Sequence, residues 1–480
     1  MHKSIQQLPS RYEPLINMLG ENARTTFVRL ENDLGSVARL LHQAKAAHQG
    51  KFQFIYSPLK SGAGKTTFVQ SLDIFLSDLI EAVHRIPSES GSVLGNILQT
   101  LRALPRTVKA HIANLDGHES FIASDEEYRS FLVQLNSLLR NRPDIVVLWP
   151  TNDIEFAKRI IMIMSEVGGR SAFGTQPIYN MCGPQRDDFP KILEGILKVA
   201  NWRIEDAALD WTRVSHITED ASNIGEYLDT IQSAIAQNFD IGIIGFEPPR
   251  ILFVVSGGKE GIRDVCRSLR RADSYYIDSA RLQMYTRRSR IAQWWAERNK
   301  DVKTSLPYIV SLFDAQLLSL SPSSVVHSIL LAAPSGFPNL AGKVTKNAGN
   351  ARRIMMSTEF FKFSKGQEVD IKETKPSTKA ETLEAYGLIQ ERSKDRHKII
   401  NQAILGLSEE VGCGFNNVLL EQSCGSASRV CTDAIADLNG TKCHIEFFHK
   451  SSSESTENPI AIYVLEKLKE YAVSYGVAKP

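Results

Sequence analysis

The run Ser57-Pro58-Leu59-Lys60-Ser61-Gly62-Ala63-Gly64-Lys65-Thr66-Thr67 lies between a short apolar stretch, FQFIY at 52–56, and a stretch of helical character at 68–79. Gly62 and Gly64 let the backbone curl so that its N–H groups converge on an anion, and the start of the helix adds its positive dipole end. Strand, glycine turn and helix are the context in which such a loop cradles phosphates. Lys65 would then reach the β- and γ-phosphates of ATP, and Thr66 would ligate Mg²⁺. The candidate binding residues are Lys60, Ser61, Gly62, Ala63, Gly64, Lys65, Thr66 and Thr67. One position departs from the GxxxxGK[ST] pattern: Leu59 stands where the first glycine belongs.

Two further apolar runs end in polar groups. Lys109 to Leu115 reads as a strand that stops at Asp116, followed by Gly117, His118 and Glu119. An acid at the carboxyl end of a strand beside the loop would hold Mg²⁺ through water, and Glu119 nearby would polarise the attacking water. Asp144 to Pro150 reads as a strand running into Thr151 and Asn152. The Asn152 amide would either orient the lytic water or cap the helix expected at 153–166.

A second set of chemical groups lies near the C-terminus. Asp433 falls in an alternating run, 429–437, and Glu446 in another, 442–450, with Asn439-Gly440 between them as a type I′ hairpin turn. Such a hairpin brings the two carboxylates together, and the pair could hold a divalent metal that activates water. Lys450 shares a strand face with Glu446, because the side-chain period is two. Between these regions, Arg263, Arg267, Arg270, Arg271, Arg281, Arg287, Arg288, Arg290, Arg298 and Lys300 face only four acids in 263–300, a local +6. Tyr275, Tyr276, Tyr285, Trp294 and Trp295 are interleaved with them. Arginines that neutralise phosphates, beside aromatic faces that stack on bases, make DNA a candidate partner. A helical region whose arginines pair with the remaining acids is the alternative.

These groups need elements to hold them. Residues 1–50 have apolar residues at helical spacing. From 51 to 200 strands and helices alternate, which predicts a parallel α/β sheet. Residues 201–245 read as a helical lid, and 246–340 as a mostly helical region entered by the strand ILFVV at 251–255, with 305–334 helical. Residues 341–385, rich in Lys, Thr, Ser and Gly, read as a linker. From 386 to 480 the order is helix, strand, turn, strand, helix. The 480-residue length suits two to four domains. With 42% hydrophobic and 23% charged residues, wholesale disorder and a disulfide-dense scaffold are excluded. The six cysteines form no CxxC pair and read as buried small hydrophobes in a reducing cytosol rather than a zinc cluster. No signal peptide or membrane span is evident, so the expected location is cytoplasmic.

The order GxGKTT, NLDGHE, VVLWPTN resembles an AAA+-type ATPase core over about 50–200. The resemblance implies that Asp116 is the Walker B acid, Glu119 the nearest catalytic glutamate, and Asn152 the sensor 1 residue. It further implies that Arg170 is an arginine finger acting in trans across a homo-oligomer interface. Gly117 stands where the family places its glutamate. The same loop also resembles the deviant Walker A of ParA-like dimeric ATPases, with Lys60 as signature lysine, but the Asp-x-Asp strand expected there is missing. The C-terminal arrangement resembles the PD-(D/E)xK nuclease fold, which implies Asp433 and Glu446 as metal ligands, with Lys450 replacing the lysine where Phe448 stands. An inactive relative of that fold, or an unrelated α/β domain, remains open. Together the resemblances imply an ATP- and Mg²⁺-dependent, DNA-associated protein in prokaryotic defence against phage or plasmid DNA, or in a mobile element. The alternative is a nucleotide-dependent switch whose inactive terminal domain recruits a separate effector protein.

Overall fold

The computed structural model describes residues 8–9, 11–59, 62–86, 93–118, 123–168, 170–258, 261–340, 342–367, 369, 378–425, 429–451 and 453–480. The chain divides into two compact units. The first comprises Leu8–Ala200 and Trp211–Ser233, and the second comprises Asn201–Asp210 and Ala234–Pro480.

The first unit is built on five strands: β1 (Lys51–Tyr56), β2 (Ile80–Arg85), β3 (Ala110–Asn114), β4 (Ile145–Thr151) and β5 (Phe173–Asn180). Their order is β2-β3-β4-β1-β5, and every pairing is parallel. A parallel sheet covered on both faces needs strands apolar on both faces, and β4 is buried along its whole length. Its alternate residues serve two layers. Val147 and Trp149 pack with Ile97, Leu101, Tyr128, Phe131 and Ile160 from the helices Val93–Ala103, Asp125–Arg140 and Ile154–Gly168. Val146 and Leu148 pack on the other face with Leu34, Val37 and Leu40 of the helix Glu31–Ala46, and with Phe68 and Val69 behind the phosphate loop. The helix expected over 68–79 is instead two short pieces, Lys65–Gln70 and Leu72–Phe75. The expected lid at 201–245 is also redistributed. The helices Phe189–Val199 and Trp211–Asp220 and the start of Ile224–Asn238 belong to the first unit, while Asn201–Asp210 belongs to the second.

The second unit holds β6 (Arg250–Gly257), β7 (Gln316–Leu320), β8 (Phe415–Cys424), β9 (Val430–Leu438) and β10 (Thr441–Lys450) in one mixed sheet of order β7-β6-β10-β9-β8. β8, β9 and β10 are antiparallel, and β10, β6 and β7 are parallel. This corrects three expectations. Residues 316–320 are a strand rather than part of a helical 305–334, because a short run buried on both faces carries no period that separates strand from helix. The stretch 341–385 contains the helices Ala348–Met356 and Glu359–Ser364, whose Met355, Phe360 and Phe363 enter the core cluster with Leu318 and Phe447. It is therefore part of the domain rather than a linker. Finally, 246–340 and 386–480 share a sheet and a core, so they form one domain. Among the described residues, no helix is long and apolar enough to cross a membrane.

Candidate functional site

β1 delivers the chain into the phosphate loop, and the loop's glycines adopt the left-handed conformations that their sequence position suggested: φ is +105° at Gly62 and +86° at Gly64. The helix Lys65–Gln70 starts directly after them. Two side-chain pairs then join the loop to the ends of the neighbouring strands. Lys65 Nζ donates to Asn152 Oδ1 at 2.5 Å, just beyond β4, and Thr66 Oγ1 donates to Asp116 Oδ2 at 2.9 Å, just beyond β3. Asp116 is itself oriented, since its N–H donates to Asn114 Oδ1 at 3.1 Å. The parallel order β3-β4-β1 makes this convergence possible, because it sets three carboxyl ends side by side.

Gly62, Ala63, Gly64, Lys65, Thr66, Thr67, Asp116 and Asn152 line one cavity of about 260 Å³. Apolar side chains line it as well, Leu15, Phe27 and Leu30 from the N-terminal segment and Ile192, Ile196 and Leu228 from the helices Phe189–Val199 and Ile224–Asn238, together with the charged Arg11 and Glu13. A lining that combines phosphate-loop and charged groups with apolar side chains suits a polyphosphate carrying a flat organic group. Thr66 Oγ1 and Asp116 Oδ2, already in contact, are the hard oxygen donors that Mg²⁺ requires. Lys60, Ser61 and Glu119 lie outside the described residues. Arg170 is exposed on a short turn before β5 and does not line the cavity.

Sequence reasoning missed several residues here. Arg85, at the end of β2, bonds Glu13 Oε1 at 2.9 Å and lies 3.7 Å from Asp116 Oδ2. Gly225 N donates to Gly62 O at 2.9 Å, which closes the lid helix Ile224–Asn238 onto the loop. Asp33 accepts from Tyr179 Oη and from the N–H groups of Cys182 and Gly183, and so fixes the turn that leads to Pro184 on the cavity wall. None of these residues belongs to a local motif that a single sequence exposes.

The C-terminal carboxylates do come together, but under cover. The Asn439-Gly440 turn has φ of +51° and +80°, as a type I′ hairpin requires, and register pairs Thr441 with Leu438. Asp433 Oδ2 accepts from Phe447 N at 2.7 Å. Glu446 is only 1% exposed beneath the helix Glu457–Ser474: Tyr471 Oη donates to Oε1 at 2.7 Å and Lys467 Nζ lies 3.3 Å from Oε2. Burial pushes Glu446 up to about 7, with Lys467 opposing, and it raises Asp433 as well. Lys450 does not join them. Its ammonium lies 3.3 Å from Glu454 and over the Phe448 ring, which in turn stacks on Tyr463. The lysine beside Glu446 is instead Lys467, on the helix Glu457–Ser474, and no spacing rule within a strand would have found it. Among the described residues no group of three or more His, Cys, Asp or Glu is placed to hold a metal.

The arginine-rich segment is partly internal. Arg263 and Arg270 pair with the buried Glu359, and Arg271 pairs with the buried Asp206. Arg281 lies 3.7 Å from Asp278, and Arg298 stacks on Trp294 at 3.7 Å. Arg287, Arg288 and Arg290 are exposed at the junction of the helices Ser279–Thr286 and Arg290–Arg298.

No family model matches this chain, and no curated protein does. Among solved structures, the Aeropyrum pernix ORC2 protein in its ADP form is similar over 82% of this chain and 98% of its own, at 13% identity and a TM-score of 0.32. The same protein in its ADPNP–ADP complexes is similar over 80% of this chain and 98% of its own, at 13% identity and a TM-score of 0.31.

Proposed function

We propose that the first unit binds and hydrolyses ATP with Mg²⁺, and that the chain is an AAA+-like, DNA-associated ATPase whose second unit grips or recruits rather than cuts. The observation that carries this reading is the pair of bonds Lys65–Asn152 and Thr66–Asp116, which brings three separate strand ends to one phosphate loop. In this reading Lys65 and the N–H groups of 62–67 bind the phosphates, Thr66 and Asp116 hold Mg²⁺, and Asn152 orients the lytic water. When bound, Mg²⁺ neutralises charge on the phosphate oxygens. Glu119 remains the proposed base. The exposure of Arg170 supports its use in trans within a homo-oligomer. Exposed Arg287, Arg288 and Arg290 support contact with DNA phosphates.

The cover over Glu446 favours the non-cleaving form of this proposal, because a catalytic metal needs ligands that a substrate phosphate can reach. The test incubates the full chain with plasmid DNA, Mg²⁺ or Mn²⁺, with and without ATP. DNA-stimulated ATP turnover with intact plasmid is the expected result, and Lys65→Ala should weaken ATP binding at least about tenfold. Wild-type ATP binding in Lys65→Ala would overturn the proposal. Nicking lost in both Asp433→Ala and Lys467→Ala would replace the gripping domain with a nuclease, and a role in defence against phage or plasmid DNA would follow from that result.

A further inference from the structure

One cation of the cavity belongs to no motif. Arg11 is the N-cap residue of the helix Tyr12–Leu19, and its side chain lines the cavity beside the phosphate loop. The approach is close. A Cβ at Gly62 would lie 2.6 Å from Arg11 Nη1, and one at Gly225 would lie 2.3 Å from the same atom. The loop and the start of the lid helix therefore both have glycine where this guanidinium rests, and the two glycines are themselves bonded, Gly225 N to Gly62 O. Arg11 Nη2 also donates to Asp229 Oδ2 at 2.6 Å, one turn into the lid helix.

The charged residues lining the cavity are Arg11, Lys65, Glu13 and Asp116. Among the described residues that line the cavity, Lys65 and Arg11 are thus the two side-chain cations. A guanidinium presents a planar fork that matches phosphate oxygens. The bond to Asp229 is a half-exposed ion pair, 41% and 43% exposed on its two sides, and such pairs contribute little to stability. A phosphate oxygen can therefore replace Asp229 at small cost.

We propose that Arg11 is a phosphate-binding residue of this site: it contacts the terminal phosphate of a bound nucleoside triphosphate and exchanges Asp229 for it. The exchange links the N-terminal helix and the lid helix to the length of the phosphate chain. This rests on the nucleotide reading above.

The experiment measures the affinity of the full chain for a non-hydrolysable ATP analogue and for ADP, both with Mg²⁺. It compares wild type with Arg11→Ala, Arg11→Lys, Asp229→Asn and Lys65→Ala. Loss of one charge-assisted contact should weaken triphosphate binding by about tenfold to a hundredfold in Arg11→Ala. ADP affinity should stay within about threefold of wild type, which also shows that the site is still folded. Arg11→Lys should recover part of the loss, and Asp229→Asn should strengthen triphosphate binding by freeing the guanidinium. Equal effects of Arg11→Ala on both nucleotides, or no effect on either, would overturn the inference. So would an Asp229→Asn variant that binds the triphosphate more weakly. Lys65→Ala separates the two levels: if it loses both nucleotides while Arg11→Ala behaves as wild type, the site stands and only the role of Arg11 falls. If Lys65→Ala binds both normally, the nucleotide reading itself fails.

Discussion

Glu359 holds more of the second unit together than any charge count would suggest. Its carboxylate accepts from Arg270 at 2.6 Å, from Ser319 N at 2.9 Å and from Ser319 Oγ at 2.7 Å, with Arg263 at 3.2 Å. Arg270 is 1% exposed. Glu359→Ala would leave that guanidinium buried and unpaired, which costs about 3–5 kcal/mol. Chemical denaturation should show this loss, while Arg287→Ala, at an exposed position, should be nearly silent. Glu446 makes a pH prediction. Burial raises its folded value to about 7, above the ordinary value of 4.5, despite Lys467 beside it. The folded state therefore holds this proton more tightly than the unfolded chain does. The stabilisation is complete below about 4.5 and is lost as pH rises to about 7. Across that window the stability of wild type should fall relative to that of Glu446→Gln, because the buried His444 and His449, lowered to about 4, contribute equally to both and in the opposite direction. Another buried polar chain, Ser256–His449–Asn401, has the composition of a nucleophile relay. Ser256 is fully buried and also bonded to Tyr386 Oη, so it packs the core.

The hairpin β9–β10 depends on its turn. Asn439 and Gly440 both have positive φ, a conformation that costs a β-branched residue about 1–3 kcal/mol. Gly440→Val should lower the unfolding midpoint, and Gly440→Asn should restore most of it. This element was readable because Asn-Gly between alternating runs encodes its geometry locally. β1, β3, β4 and β6 were readable for a related reason: each is an apolar run bounded by turn residues or a polar end. β7 was not, because Gln316–Leu320 is buried on both faces between helices and shows no alternation. The phosphate loop, Asp116 and Asn152 were legible as strand-end chemistry. Arg11, Gly225 and Lys467 were not, since each reaches its site only through tertiary packing. The arginine-rich segment misled in the opposite way, because its net charge counts arginines whose partners, Glu359 and Asp206, lie far away in sequence.

At the scale of the molecule, two units predict two responses. A ligand stabilises only the folded state that binds it. Calorimetry with the ATP analogue should therefore raise the transition of the first unit selectively, and Lys65→Ala should abolish that rise. The second unit makes a different demand. Its sheet is incomplete without β6 and β7, so residues 386–480 expressed alone should fail to fold, whereas 201–480, which keeps β6, β7 and the Asp206 partner of Arg271, should unfold cooperatively. Circular dichroism and denaturant titration distinguish these outcomes. The parallel pairing of β6 with β10 has a further consequence during synthesis. Arg250 pairs its strand with Cys443, so β6 leaves the ribosome roughly two hundred residues before its central partner exists. At about 5–20 residues per second, that edge stays unsatisfied for roughly 10–40 s. During that interval the nascent chain carries an apolar strand with open hydrogen-bonding groups, a natural client for a ribosome-bound chaperone.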